Sequence, residues 1–350
     1  MFKRTENPTH TPVYTRLVDP FTLHVSDTAQ FYIANLGFQG KKIFSTIKKL
    51  GIEVVFGSNL AVCTLGLELS KLTGAKSIFD LSDFFPGSVG AYYPGANKAS
   101  ASSLYALAKL ITDYNIRRAD LCTTCSTALK EYALNVAPNT RVQHLPNGVD
   151  TKVFAPKPAS ESLNASLGLE ENTLVYVGSI ESWLDFDVVF DAITILKKEG
   201  VKIQLLIVGR SIYSENGNPI AEKIAERGLE RQVKFVGYQP YETLPTFINS
   251  SIGGIIPFKT TSLLTQMAFP NKLLEYMACG KPVFAPQMME MKKVGGRFLL
   301  PYSNPESLAF QIKNAISENY DPEEIRRSVL CYDWNIIAEK LEVFMQELIK

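Results

Sequence analysis

The sequence predicts an α/β protein made of two Rossmann-like, doubly wound domains. Short apolar runs alternate with amphipathic helical stretches along the chain, the pattern of parallel α/β layers. The length of 350 residues is too great for one ordinary core. Gly178, Gly209 and Gly237 each end an apolar run, where a backbone can approach a ligand closely. We expect the two sheets to face each other across a cleft at the carboxyl ends of their strands.

The first half of the chain predicts four strands and one long helix. Apolar runs indicate strands over residues 52–56, 76–81, 120–124 and 142–145. A helix of about twenty residues precedes the third of these runs. The Pro-rich stretch at 155–158 is interpreted as a linker, so the first domain is assigned to residues 1–155.

The second half predicts a further series of alternating strands and helices, assigned to residues 156–333. Strands are expected over residues 174–178, 204–208, 233–236, 253–257 and 282–285, and helices over 186–199, 220–227 and 270–280. The C-terminal stretch 334–350 has the apolar spacing of an amphipathic helix. We expect this helix to pack back on the first domain.

Composition excludes several classes of protein. A formal net charge of +1 provides no basic field for nucleic acid, and no apolar run is long enough to span a bilayer. The N-terminus has no apolar signal-peptide region. Five scattered cysteines do not resemble a disulfide framework, and Cys122 and Cys125 are interpreted as buried strand-end residues. We expect a cytoplasmic protein.

The segment 269–283 is the most informative stretch of the chain. Its apolar residues have the spacing of one face of a short helix, with Pro270 in the first turn and Gly280 where the helix would end. Lys272 and Glu275 are three residues apart and so share one helix face near its positive end. This arrangement suits a phosphorylated sugar or a nucleotide. The alternative is a surface helix with an ordinary Lys–Glu pair.

Four motifs resemble the group 1 (GT4-like) superfamily of glycosyltransferases, which has the GT-B fold. They are Pro-Asn-Gly-Val-Asp at 146–150, Tyr-Val-Gly-Ser at 176–179, Val-Lys-Phe-Val-Gly-Tyr at 233–238, and the segment 270–282. Each motif is weak alone, but their order and spacing are fairly specific. The last one resembles the subset of the family that reads Pro-x-Lys-x-x-Glu-Tyr.

The resemblance implies that the second domain binds a nucleotide diphosphate sugar. In the family, the glutamate at the position of Glu275 accepts hydrogen bonds from the ribose hydroxyls. A cation near the start of the same helix neutralises the diphosphate, and we expect Lys272 in that role. The remaining donor-site candidates lie at the glycine turns and at the start of the helix: Gly178, Ser179, Gly209, Arg210, Pro270 and Asn271.

Neither a metal ion nor a cofactor is expected. Asp185 and Asp187 have the spacing of a metal-binding Asp-x-Asp motif. They stand at a predicted helix start, however, where aspartate is more often a cap. We therefore expect transfer to be metal-independent.

The resemblance also implies an acceptor site on the first domain. Residues 79–86 resemble the strand-end segment in which an aspartate of the family faces the cleft. Asp83 is the first candidate for a base or polar contact with the acceptor, and Asp80 is the second. The alternative for Asp83 is that it caps a turn before Pro86. The three histidines are more typical of structural positions.

The chain departs from the family pattern in three places. Met267 stands where many relatives carry a glutamate that touches the donor sugar, and the usual cation after the first strand of the second domain is missing from residues 179–185. Nothing before Thr22 predicts the usual opening strand with its Gly-rich turn. We therefore expect either a reading frame that starts at an internal Met or an N-terminal domain short of its first strand.

The leading hypothesis is a glycosyltransferase that moves a sugar from a nucleotide diphosphate sugar to a saccharide or lipid-linked acceptor. The alternative is a catalytically silent GT-B subunit that stabilises a partner transferase, and an epimerase or phosphorylase on the same fold is weaker still. Paired lysines at 41–42 and 48–49, near apolar Ile43, Phe44 and Ile47, suit peripheral contact with the inner face of a membrane. The alternative for these lysines is a solvated helix face.

Overall fold

The structure of the chain is a computed structural model, which describes residues 2–5, 13–16, 36–58, 60–92, 97–210 and 220–350. The chain divides into two compact units, Met1–Pro146 with Ala338–Lys350, and Asn147–Ile337. Each unit contains a parallel sheet covered by helices, of four strands in the first and six in the second. The predicted α/β class with two parallel sheets is confirmed.

The first unit has its parallel strands in the order β3-β4-β5-β6. An antiparallel pair, β1 with β2, stands apart from that sheet. The strands are β1 (Phe2–Thr5), β2 (Val13–Arg16), β3 (Val54–Gly57), β4 (Lys76–Leu81), β5 (Leu121–Thr124) and β6 (Val142–His144). The helices are α1 (Leu36–Leu50), α2 (Leu60–Thr73), α3 (Phe85–Tyr92), α4 (Lys98–Arg118) and α5 (Thr127–Val136).

The second unit has the strand order β12-β11-β10-β7-β8-β9. Its strands are β7 (Thr173–Val177), β8 (Gln204–Val208), β9 (Val233–Gly237), β10 (Gly253–Ile255), β11 (Val283–Pro286) and β12 (Leu299–Tyr302). Its helices are α6 (Glu161–Leu167), α7 (Phe186–Lys198), α8 (Ala221–Glu226), α9 (Leu244–Asn249), α10 (Leu263–Met267), α11 (Asn271–Ala278), α12 (Met289–Gly295), α13 (Pro305–Ser317) and α14 (Pro322–Arg327). The last helix, α15 (Trp334–Ile349), begins in the second unit, and its residues from Ala338 onward group with the first.

Strands β7 and β8 lie inside the sheet of the second unit, and burial explains their largely apolar composition. Every residue of β7 and β8 is buried, because helices cover both faces of a parallel sheet. The carboxyl ends of β7, β8 and β9 therefore meet at one edge of the sheet, where Gly178, Gly209 and Gly237 stand. This edge carries the candidate site.

None of the helices in the described ranges combines the length and the apolarity that are needed to cross a bilayer.

Candidate functional site

Helix α11, which carries Lys272 and Glu275, is fixed at both of its ends. Before its first turn, Nδ2 of Asn147 donates a hydrogen bond to the Phe269 carbonyl oxygen at 3.3 Å. At its last turn, Nη1 of Arg326 donates to the Ala278 carbonyl oxygen at 2.9 Å. These two contacts satisfy carbonyl groups at either end of the helix and hold it in one position.

Tyr276 docks the middle of α11 on the sheet. Its hydroxyl oxygen accepts a hydrogen bond of 2.9 Å from the backbone N–H of Val177, the last residue of β7. Its ring lies over Gly254 of β10, where a Cβ atom would stand 2.1 Å from a ring carbon. Only glycine permits this approach. The helix therefore lies directly against the end of β7.

Lys272 lies on the turn that follows β7. Gly178 has a φ of +130°, and a Cβ atom on it would stand 2.5 Å from Cε and 2.9 Å from Nζ of Lys272. The same Nζ lies 5.7 Å from the centre of the Tyr176 ring. The lysine side chain thus crosses the glycine backbone and places its ammonium group at the strand end.

The end of β8 completes the glycine turns beside Lys272. A Cβ atom on Gly209 would stand 1.8 Å from the carbonyl oxygen of Gly178, so the two turns are in contact. The next residue, Arg210, accepts a hydrogen bond from Ile180 N–H at its carbonyl oxygen, at 3.2 Å. Its exposed guanidinium lies 5.4 Å from the centre of the Tyr238 ring.

The structure therefore brings together Gly178, Gly209 and Lys272, with Ser179 and Arg210 next in the chain. Pro270 is the residue before the helix rather than part of its first turn, and it provides no side-chain cap to the helix N-terminus. Asn271 opens the helix and is exposed. The first-turn N–H groups of α11 are not capped by a side chain and can bind an anion.

Lys272 and Glu275 are charged groups without conventional partners. Burial lowers the pKa of Lys272 from its usual 10.5, against the opposing effect of Glu275. Burial also raises the pKa of Glu275 from its usual 4.5, against the opposing effect of Lys272. Across the described part of the chain, neither side chain forms a hydrogen bond or an ion pair. A buried charge is costly unless it is paired. The pair therefore favours a ligand that brings an anionic group to Lys272 and hydroxyl donors to Glu275.

Tyr241 lies near enough to Glu275 to be affected by its charge. Burial, and after it the Glu275 carboxylate, raise the pKa of the Tyr241 hydroxyl to about 12. The Tyr241 ring packs edge-on against Phe154, with ring centres 5.1 Å apart. An aromatic hydroxyl that stays protonated thus borders the carboxylate end of the site.

The two aspartates of the first unit occupy different environments. The Asp80 carboxylate accepts a hydrogen bond of 2.6 Å from the Thr123 hydroxyl on β5. Burial raises its pKa from 3.8 to about 6. The Asp83 carboxylate accepts the N–H of Phe84 at 2.8 Å, and burial raises its pKa too. The Asp83–Phe84 hydrogen bond fits the turn-capping alternative, and both residues remain candidates for an acceptor role.

The Asp-x-Asp sequence at 185–187 is part of the architecture of α7. Asp185 is the N-cap, and its side chain accepts the N–H of Val188 at 3.4 Å. Asp187 pairs with Lys223 and Arg227. The interpretation of this sequence as a helix start is confirmed. Among the described residues, no cluster of three or more histidine, cysteine or acidic side chains could hold a metal ion.

Sequence reasoning assigned no role to Tyr276, Asn147 or Arg326, which position the helix. Tyr276 and Asn147 lie within the quoted motifs, but their partners Val177 and Phe269 are 99 and 122 residues away. Arg326 lies outside every motif. The only sequence signal was the glycine pair Gly253 and Gly254 within a strand, since glycine in a strand indicates close approach by another group.

Comparison with known proteins shows which family part of the second unit is similar to. Residues 161–329, which lie within the second unit, match the family model of group 1 glycosyl transferases. This segment belongs to that family. The predicted resemblance to group 1 glycosyltransferases is thereby confirmed for this segment, whereas the Pro-x-Lys-x-x-Glu-Tyr subset stays a prediction.

Two relatives have names that assign them to the biosynthesis of polysaccharides. The chain is 26% identical over 234 residues to TuaH of Bacillus subtilis (strain 168), named for teichuronic acid biosynthesis, across 65% of this chain and 56% of that protein. It is 28% identical over 128 residues to the amylovoran biosynthesis glycosyltransferase AmsK of Erwinia amylovora, across 35% of this chain and 30% of that protein. The chain thus spans about half or less of the length of these relatives.

Solved structures share the fold over nearly the whole chain. Sucrose-phosphate synthase from Thermosynechococcus elongatus has a TM-score of 0.70 at 19% identity, covering 99% of this chain and 85% of that one. HepE from Anabaena, solved in complex with UDP, has a TM-score of 0.67 at 17% identity, covering 90% and 84%. At these identities the likeness establishes the GT-B-like fold.

Proposed function

We propose that this chain transfers a sugar from a nucleoside diphosphate sugar to a saccharide or lipid-linked acceptor, without a metal ion. The observation that carries the proposal is the Lys272–Glu275 pair, held at the Gly178 turn with neither charge hydrogen-bonded. The family of the 161–329 segment and the named roles of its relatives in polysaccharide biosynthesis support it. HepE, which has a similar fold, was solved with UDP bound.

In the proposed donor complex, the diphosphate lies over the turns at Gly178 and Gly209, beside the start of α11. The Lys272 ammonium neutralises negative charge there, and backbone N–H groups of the glycine turns and the first helical turn donate hydrogen bonds. Departure of the nucleoside diphosphate concentrates charge on its terminal phosphate. Fixed donors that already point at this charge lower the barrier to transfer.

Glu275 has the complementary task at the ribose. It lies one helical turn after Lys272 on the same face, and a carboxylate can accept hydrogen bonds from two neighbouring hydroxyls. On the acceptor side, we propose Asp83, with Asp80 second, as the polar or basic contact. An Asp80 carboxyl with a pKa of about 6 would be a stronger proton acceptor than an ordinary aspartate.

The test is titration calorimetry of UDP, GDP and their sugars against wild type and Glu275→Ala. Glu242→Ala is the matched control, because Glu242 is an exposed glutamate of the same unit. Micromolar binding of one nucleotide, lost in Glu275→Ala and retained in Glu242→Ala, is the expected result. If no nucleotide bound wild type, the transferase proposal would fail and the silent GT-B subunit would be favoured.

Binding alone does not distinguish an active enzyme from a subunit that only retains the donor site. Release of nucleoside diphosphate from the bound sugar donor, with and without an acceptor saccharide, makes that distinction. We expect slow release with water and faster release with the acceptor. Tight binding without release under either condition would assign the chain a non-catalytic role.

A further inference from the structure

The loop after β10 carries a cation at the same edge of the sheet as Lys272. Strand β10 pairs in parallel with β7, with Gly254 opposite Val175, so the chain leaves β10 beside the Gly178 turn. Four residues after the end of β10 stands Lys259, whose side chain is exposed. Neither the sequence motifs nor the proposed contacts with the diphosphate and the ribose give this lysine a role.

The backbone of Lys259 is fixed on both sides. Its N–H donates a hydrogen bond of 2.9 Å to the carbonyl oxygen of Trp183, in the loop after β7. Its own carbonyl oxygen accepts a hydrogen bond from the Thr265 hydroxyl at 2.5 Å. One residue earlier, Phe258 forms a β-bridge with Leu184. The loops after β7 and β10 are thus joined, and Lys259 stands where they meet.

The Lys259 ammonium is held in place and still has hydrogen-bonding capacity. Its Nζ donates to the Ser182 carbonyl oxygen at 2.6 Å. An ammonium group has three N–H donors, so two remain for a ligand. Among the described residues, Lys259 forms no ion pair. The Asp185 carboxylate, on the same pair of loops, accepts the N–H of Val188 and caps α7. The cation is therefore positioned in advance, and no described carboxylate pairs with it.

The strand order places Lys259 on the sugar side of the proposed donor. The order is β10-β7-β8-β9 in this part of the sheet. Tyr241, whose pKa is raised in part by the Glu275 carboxylate, follows β9, and the diphosphate turns follow β7 and β8. A donor that runs from its ribose through its diphosphate in this direction brings its sugar to the loop after β10. This placement rests on the proposed function.

The same loop differs in charge from the family pattern. Met267 is the last residue of α10, the short helix that follows Lys259, and its side chain is neutral. Many relatives carry a glutamate at this position that touches the donor sugar. A carboxylate accepts hydrogen bonds from sugar hydroxyls, whereas an ammonium group only donates them. The sugar end of the proposed site therefore offers a positive charge in place of a negative one.

We infer that the donor sugar carries a carboxylate, as a uronic acid does, and that Lys259 binds it. A hydrogen bond between an ammonium group and a carboxylate is about twice as strong as one between neutral groups. A neutral hydroxymethyl group in the same place would leave the cation without a counter-charge. The inference deepens the proposed donor site by adding the chemical class of its sugar. The competing role for Lys259, a second cation for the diphosphate, is distinguished by the same measurements.

Titration calorimetry with matched donors tests the inference. UDP-glucose adds a neutral sugar to UDP, and UDP-glucuronic acid differs from UDP-glucose only by a carboxylate in place of the hydroxymethyl group. If the chain prefers guanine, then GDP, GDP-mannose and GDP-mannuronic acid form the equivalent series. Wild type should bind the uronic acid donor about 10- to 100-fold more tightly than the neutral one, as expected for one charge-assisted hydrogen bond.

Three variants assign the effect to Lys259. Lys259→Gln should remove the preference and leave the affinity for UDP unchanged, whereas Lys259→Arg, which keeps the charge, should retain most of the preference. Lys202→Gln is the matched control, since Lys202 is an exposed lysine of the same unit that stands before β8, at the opposite edge of the sheet. It should bind all three ligands as wild type does. Because both lysines are exposed, urea unfolding should show wild-type stability in each variant.

Three results would overturn the inference. Equal affinity for the two sugar donors, or tighter binding of the neutral one, would show that no carboxylate is recognised. Weaker binding of UDP itself by Lys259→Gln, in the same proportion as both sugar donors, would assign Lys259 to the diphosphate. An equal loss in Lys202→Gln would make the effect one of general charge.

Failure of this inference can be distinguished from failure of the donor proposal. Nucleotide binding without a preference for the uronic acid would contradict the role of Lys259 and leave the donor site intact. If no nucleotide bound at all, the donor proposal would fail, and the inference about its sugar would fail with it.

Discussion

Replacing Lys272 with methionine should separate ligand binding from folding stability. Because burial lowers the pKa of Lys272, the folded chain holds this proton less tightly than the unfolded chain. The charged lysine therefore costs folding free energy at neutral pH. Methionine removes that cost and loses no hydrogen bond, although the attraction to Glu275 is also lost. We expect the free energy of unfolding to change by about 1 kcal/mol or less.

The effect on binding should be much larger. A hydrogen bond to a charged group contributes about 1.5–3 kcal/mol, and about 1.4 kcal/mol corresponds to a tenfold change in Kd. Lys272→Met should therefore raise the Kd for the bound nucleoside diphosphate by about 10- to 100-fold. Calorimetry measures the binding, and urea unfolding at pH 7 measures the stability.

Lys281 provides the matched control for this substitution. It follows the same helix, and burial lowers its pKa as well, but no contact places it at the Gly178 turn. Lys281→Met should leave nucleotide affinity unchanged. Equal weakening in both variants, or full affinity in Lys272→Met, would refute the assignment of Lys272 to the diphosphate.

Three further substitutions test the scaffold and the first unit. Gly178→Ala should abolish tight nucleotide binding in calorimetry, because its Cβ would stand 2.5 Å from Cε of Lys272; affinity equal to wild type would contradict the close approach. Tyr276→Phe should lower the free energy of unfolding in urea by about 1–3 kcal/mol, because the buried N–H of Val177 loses its acceptor; a neutral change would show that the hydrogen bond is dispensable. Asp80 has a folded pKa of about 6 against the usual 3.8, so the folded chain binds this proton more tightly and stability should fall as pH rises between these values, by up to about 3 kcal/mol. Asp80→Asn should remove this slope, and urea unfolding between about pH 4 and pH 7 will show whether it does.

In the second unit, the strands that are followed by glycine could be predicted from the sequence, but the edge strand β12 could not. The strand expected over 204–208 is observed as Gln204–Val208, because four consecutive apolar residues, Leu205 to Val208, are typical of a buried parallel strand. Strand β12 was not predicted. It contains Pro301, which argues against a strand from sequence alone, but β12 lies at the edge of its sheet, where proline is tolerated.

Long-range contacts explain the remaining differences. The apolar periodicity of α4 gave no warning that Leu110 faces solvent while Asn115 is fully buried. That orientation depends on polar partners on other helices. Likewise, Lys272 and Glu275 were recognised from their spacing. The position of their helix beside Gly178, however, depends on the packing of the Tyr276 ring against Gly254. Contacts of this kind between distant segments leave no local pattern in the sequence.

The most direct test of the proposed donor site measures whether Glu275 recognises the ribose hydroxyls. Wild type and Glu275→Gln are each titrated with the preferred nucleoside diphosphate and with its 2′,3′-dideoxy counterpart. If the carboxylate accepts the ribose hydroxyls, wild type should prefer the ribonucleotide by about tenfold or more, and Glu275→Gln should lose most of that preference. The same preference in both proteins, or none in wild type, would contradict the account.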